Sequence, residues 1–329
     1  LPKFIRRLQK IGSSILVSLP KEWVEENSLK KSAEVELETS ENTISITVNK
    51  GERQSKEVII SYPLPQDENI VADITGAYLL GYDVIRIKGK TNIPIEDREK
   101  IRNSMRRLVG MEIVEEDSSN VNVQFLLDAT TLSPEKILKR ISSIALGMFN
   151  DISSALISDD KSNLQTFPNR DDEVDRQYFL LVRLIRSSMI DKRLATAFNL
   201  ENIDVLDYRI AANILETASD TLVEIANSIS HTTLSKNDLR RIYELTKDIE
   251  NIHQKSIDAF IAQDRRLAID AISSHRKFQK KISDIRSSIE QKNQLPIDLL
   301  DLIYMFERVS RSWSDIADLV KPKIGRAHV

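Results

Sequence analysis

The stretch Glu216-Thr217-Ala218-Ser219-Asp220-Thr221-Leu222-Val223-Glu224-Ile225-Ala226 lines up with Glu307-Arg308-Val309-Ser310-Arg311-Ser312-Trp313-Ser314-Asp315-Ile316-Ala317. Glu, Ser, Ile and Ala coincide, and Glu224 stands against Asp315. A shorter echo precedes it: Ala155-Leu156-Ile157 with Asp160 parallels Ala259-Phe260-Ile261 with Asp264. Both echoes lie on apolar residues spaced three and four apart, the signature of an amphipathic helix. From 132 to 322 that periodicity is almost unbroken, with one glycine, Gly147. Six long helices are expected, at about 133–158, 170–191, 204–230, 236–263, 265–290 and 296–320, by the usual start and stop signals. Ser133-Pro134 is an N-cap followed by proline at the first helical position. Ser235-Lys236-Asn237-Asp238 has the form of a capping box with Asp in place of Glu. The repeat makes the first three helices a copy of the last three. The region therefore reads as tandem three-helix bundles, each burying its own apolar stripe.

Working outward, residues 51–131 alternate between two periods. Val58–Ile60 and Val84–Lys88 read as strands, and Ile70–Leu80 and Pro94–Val109 as helices, the second stopped by Gly110. Met111–Glu115 and Val121–Leu127 read as a hairpin. The order β-α-β-α-β-β makes a small α+β module. Residues 1–50 are shorter-grained. Leu16–Leu19 is a strand stopped by Pro20, a short helix covers Lys21–Asn27, and Val35–Glu38 and Ile44–Val48 alternate as half-buried strands. The fold class is multidomain α+β, mostly α. Its expected domains are 1–50, 51–131 and 132–322, with 323–329 as a non-native tail. The opening at Leu1 suggests that native residues precede it.

Composition narrows the functions. The 329 residues carry 47 Lys+Arg against 50 Asp+Glu, a formal charge of −3, so the chain is neither a uniformly basic nucleic-acid coat nor an acidic disordered tail. Cysteine is absent, which removes disulfides, thiol catalysis and Cys-ligated zinc. No apolar run reaches the ~18 residues that span a bilayer, so no membrane insertion is expected, and a cytoplasmic location fits. Gly76 to Gly81 has the spacing of a phosphate loop, but Tyr82-Asp83 follows where Lys-Ser/Thr is needed. Gly89-Lys90-Thr91 has the right ending but no opening glycine. Nothing supports an enzyme. His231, His253 and His275 are widely separated and read as exposed helix residues.

Two constellations remain. Asp171 and Asp175 are one helical turn apart, as are Glu216 and Asp220 in a second helix of the same repeat. Like charges at this spacing repel, and oxygen ligands on facing helices are how bundles clamp a hard cation. The same acids also suit an ordinary solvated face. In the second copy Glu307 persists, but Arg311 replaces Asp220, and Ser274-His275-Arg276-Lys277 stands where acids would be; Arg311 is expected to pair Glu307. At most one cation site is expected. The other constellation is basic: Lys3, Arg6, Arg7, Lys10 and Lys21 precede the first acid, Glu22. With Ser13 and Ser14 in a turn they make a phosphate-backbone footprint. The alternative is a charged edge strand that resists aggregation.

The segment Arg7-Leu8-Gln9-Lys10-Ile11-Gly12-Ser13-Ser14-Ile15-Leu16-Val17-Ser18-Leu19-Pro20-Lys21-Glu22-Trp23 resembles AbrB/SpoVT-type DNA-binding domains, in which hairpins interleave between two subunits. The resemblance implies a swapped-hairpin homodimer that meets DNA through Arg6, Arg7, Lys10, Ser13 and Lys21. Ser32-Ala33 replace that family's usual Gly-Asp before its second hairpin. The helical region resembles the PhoU phosphate-uptake regulators over Asp171–Arg183, Asn213–Ala226 and Phe306–Ala317. That implies tandem three-helix bundles whose acids, here Asp171, Asp175, Glu216 and Asp220, hold divalent or iron-type metal ions. Head and body together resemble an archaeal type of phosphate-uptake regulator. The expected function is a DNA-binding transcriptional regulator of phosphate homeostasis. The rival is a signalling adaptor that docks on a phosphate transporter or sensor kinase, its head serving only to dimerise. A metal-dependent helical-carboxylate enzyme is a third option.

Overall fold

The computed structural model describes residues 3–40, 42–48, 55–200, 202–290 and 297–322. The tail at 323–329 and the helix start at Pro296 lie outside them. Two compact units divide at Ser55/Lys56.

The first unit holds two hairpins and a short helix. Strands β1 (Gln9–Ile11) and β2 (Ser14–Leu16) pair antiparallel, Lys10 opposite Ile15. Gly12 turns the chain with φ +62°, a conformation that glycine adopts without steric cost. The expected strand at Leu16–Leu19 thus becomes the second arm of an earlier hairpin. Helix α1 (Lys21–Glu26) follows, then β3 (Glu36–Ser40) and β4 (Thr43–Thr47), again antiparallel. Ser32, in place of the family's glycine, takes φ +68° in the preceding turn, and the strand after it is intact.

The second unit begins with a four-stranded sheet: β5 (Glu57–Tyr62), β6 (Val84–Gly89), β7 (Met111–Glu116) and β8 (Asn120–Phe125), in the order β5-β6-β8-β7. β5 and β6 are parallel, linked through α2 (Ile70–Leu79); the other pairs are antiparallel. Alternate residues Ile60, Ile85, Ile87, Val121 and Val123 are buried with Ile74, Tyr78 and Ile101. The last of these belongs to α3 (Ile95–Met105), which is shorter than expected. Its helical bonding gives way to turns before Gly110, so Arg107 stands on a turn.

Among the described residues seven α-helices complete the unit: α4 (Pro134–Ala155), α5 (Phe167–Ser188), α6 (Lys192–Phe198), α7 (Asn202–Ser230), α8 (Lys236–Ala262), α9 (Arg265–Glu290) and α10 (Ile297–Asp318). α6 is an addition to the expected set: Asp191 caps its start, and Asn199 ends it in the left-handed conformation. α4, α5 and α7 pack as one triplet and α8, α9 and α10 as the other. The triplets do not keep separate cores. α10 packs on α7 and α4 on α8, and Phe149 meets Phe306 and Trp313 edge-on at 6.0 and 5.2 Å. His253 lies 4.3 Å from Trp313 in that seam, its Nε2 3.1 Å from Ser142 Oγ. It is 2% exposed, and His275 is also buried, bonded through Nδ1 to Ser310 Oγ at 2.9 Å. The expectation of exposed histidines holds for His231 alone. His253 follows Ile249 and Ile252 on the core stripe of α8, which is why it is buried. Burial without a charge partner pushes its pKa down to about 3, so it is neutral.

Candidate functional site

The acids of the first triplet converge. α5 and α7 pack side by side, and Asp171 and Asp175 on one face Glu216 and Asp220 on the other. Asp171 is half-buried, and its Oδ1 has no hydrogen-bond partner. Burial, then the charges of Asp220, Asp175, Asp172 and Glu216, push its pKa up to about 6. Glu216 is raised by burial, Asp220 and Asp175; Asp220 is raised by burial, Asp175 and Glu224. This is an oxygen-rich corner of carboxylates, and hard cations suit such donors.

One cation already reaches it. Arg107, from the turn after α3, donates to Asp175 at 2.5 Å, and its guanidinium lies 5.8 Å from the Phe179 ring centre. Sequence reading gave no hint of this pair, since 68 residues separate its members. Among the described residues no three or more acids or histidines are gathered round a shared point as metal ligands would be. The donor chemistry of the four acids fits a cation; their present arrangement serves Arg107.

The module behind Arg107 is fixed to the same helix. Arg183 of α5, 1% exposed, donates to the carbonyls of Tyr78 and Tyr82 at 2.9 and 2.8 Å and to Asp83 Oδ1 at 3.0 Å. Its guanidinium lies 4.0 Å from the centre of the Phe125 ring. Asp83 Oδ2 accepts the Lys56 N–H. Gly81 has φ +78°, and a Cβ there would stand 2.5 Å from Ser187 Oγ, so only glycine allows this approach. On the other side of α5, a Cβ on Gly147 would meet the Arg170 guanidinium at 2.4 Å; that opening lets Arg170 pass over α4 to Asp151.

The second triplet has no matching corner. Glu307 is held by Arg286 at 2.8 Å, not by Arg311 as expected. His275 of α9 bonds Ser310 of α10, the counterpart of Ser219 in the first triplet. Arg308 crosses to Glu224 at 3.1 Å, bridging the copies.

In the first unit Lys10 and Ser13 are exposed on the β1–β2 hairpin, and Arg6 and Arg7 on the irregular segment that leads to it. Arg6 lies over Phe4 at 5.6 Å. Lys21 sits instead at the start of α1 and pairs with Glu25 at 3.5 Å, an exposed contact that water weakens. Apolar side chains of the same unit are also exposed: Ile5 at 96%, Leu8 at 72%, Ile15 at 67% and Ile44 at 67%. Among its described residues none is buried.

Comparison with known proteins bears out both resemblances. Residues 138–229 match the family model of the PhoU domain, a span that runs from α4 to the end of α7. Residues 8–54 match the model described as antidote-toxin recognition MazE, bacterial antitoxin. No curated protein matches the chain significantly. Among solved structures, PhoU from Pseudomonas aeruginosa is similar at 13% identity and a TM-score of 0.39, over 57% of this chain and 93% of that one. No described helix is long and apolar enough to cross a membrane.

Proposed function

We propose that the chain is a homodimeric, cytoplasmic regulator of phosphate homeostasis that binds DNA through its first unit. The observation that carries this reading is the surface of that unit, where an unpaired basic hairpin stands beside exposed Ile5, Leu8, Ile15 and Ile44. A unit this small that buries none of its described residues lacks a core of its own, and a second copy supplies one by interleaving. Two-fold pairing then sets two basic faces together, and Arg6, Arg7, Lys10, Ser13 and Lys21 meet duplex phosphates. The PhoU-domain match over 138–229 supports the link to phosphate, with the helical body relaying phosphate status to the head or to a transport or signalling protein. The role is regulatory rather than catalytic.

A mobility-shift assay on the full chain tests the head. Wild type retards a mixed-sequence duplex, and the Arg6→Ala, Arg7→Ala, Lys10→Ala variant does not. If wild type fails to retard DNA while remaining dimeric, the adaptor reading replaces this one.

The body carries a second proposal. Asp171, Asp175, Glu216 and Asp220 would hold a divalent or iron-type cation, which neutralises carboxylates that now repel one another. The unpartnered Asp171 Oδ1 and the raised pKa values of Asp171, Glu216 and Asp220 support it. Elemental analysis of purified protein decides it: wild type retains metal, and Asp175→Ala with Asp220→Ala loses it. Equal metal content in both removes the cation.

A further inference from the structure

The two triplets differ most where the first helix of each hands on to the second. α8 passes to α9 through two residues, Gln263 and Asp264, whereas α4 passes to α5 through residues 156–166, which include a single 3-10 turn, Ser162–Thr166. Residues of the longer passage face the α7–α8 turn across a cleft of about 520 Å³. That volume is within the range of about 300–1,000 Å³ typical of small-molecule sites. It belongs to neither the acidic corner nor the basic hairpin.

Its walls are of two kinds. Leu156, Ile157, Leu239 and Tyr243 make an apolar side, with Ile157 58% exposed. Lys161, Lys236 and Arg240 make a cationic side, opposed by one acid, Asp159. Arg240 is exposed and has no hydrogen bond or ion pair among the described residues. Lys161 spends one ammonium proton on the Ile229 carbonyl at 2.8 Å and keeps two. Lys236 pairs with Asp159 at 2.9 Å, but both are over four-fifths exposed, so the pair is weak and exchangeable. Lys236 and Arg240 stand in the first turns of α8, where Ser235 and Asp238 already cap the helix start, so the cationic side chains rather than the helix end supply the positive field.

We propose that this cleft binds a soluble organic phosphate of nucleotide size, the phosphate between Arg240, Lys161 and Lys236 and the ring or carbon body against Leu156, Ile157 and Tyr243. Inorganic phosphate would fill only the cationic side and leave the apolar side wet. The site is independent of the DNA and cation readings, because it shares no residue with either.

Isothermal titration on the full chain tests it, with AMP, UMP and phenyl phosphate as probes and adenosine and inorganic phosphate as controls. At least one organic phosphate binds saturably and at least tenfold more tightly than both controls. Lys161→Ala with Arg240→Ala weakens that binding tenfold or more while the circular dichroism spectrum is unchanged. Should the double variant fail to fold, Arg240→Glu, on the exposed rim, gives the same readout. The proposal is overturned if no organic phosphate binds, if adenosine or inorganic phosphate binds as tightly, or if a folded variant keeps wild-type affinity.

Discussion

A half-buried carboxyl group with four others around it ionises reluctantly, and Asp171 shows this most. Its pKa, near 4 in an unfolded chain, rises to about 6 in the fold. A raised folded-state value means that the folded protein holds the proton more tightly than the unfolded chain. The stabilisation is therefore full below about pH 4 and is lost as pH climbs through 6. Asp171→Asn removes the charge without the volume. The variant is expected to be more stable than wild type at pH 7, by about 1 kcal/mol after discounting for solvent around a half-buried side chain. The gap should close near pH 4. Urea unfolding at the two pH values measures it, and a variant that is less stable at pH 7 contradicts the repulsion. His253 works in the other direction. Its folded pKa is below its unfolded value, so its contribution is lost as pH falls from 6.5 toward 3.

Among elements, α5 carries the most distinct duties. One face offers Asp171 and Asp175 to α7, and another holds the sheet module through Arg183 and Ser187. A buried charge that loses its partner is destabilising by about 3–5 kcal/mol. Arg183→Met, which leaves Asp83 behind, should lower stability to urea by about that much, and adding Asp83→Leu should recover part of it. A loss below ~1 kcal/mol in the single variant would show that the pair does not hold the module to α5. The sequence displayed the helices and sheet well, because period and caps are local. Ser133 and Ser235 cap α4 and α8 as read, Ser235 Oγ accepting the Asp238 N–H at 3.1 Å. It displayed long-range partners poorly. Arg107, expected inside a helix, reaches Asp175 only because α3 ends early. α6 falls in the gap left between the expected helices at 170–191 and 204–230, because its seven residues are too few to show a helical period. The cleft beside Arg240 arises from a difference in connection lengths between copies, which no single motif announces.

Across the whole molecule, duplication has been put to unequal use. The first triplet keeps a cluster of repelling acids and an open connection; in the second Arg311 stands for Asp220, Arg286 pairs the retained Glu307, and His275 bonds Ser310. The aromatic seam of Phe149, Phe306 and Trp313 joins the copies into one core. The first unit, by contrast, has no buried residue among those described, and among these its cations are unpaired save for Lys21 and Arg6's contact with Phe4. On the proposed DNA-binding reading, its grip is a matter of counterion release, and duplex affinity must fall steeply with salt. The most direct measurement is fluorescence anisotropy of a labelled mixed-sequence duplex with the full chain, from low to physiological salt. A log–log slope of several units is predicted, about −0.9 for each phosphate neutralised, and Arg7→Ala with Lys10→Ala should flatten it by about 2 per bound subunit. Affinity that stays level across that salt range, or a slope that those two substitutions leave untouched, would contradict the assignment.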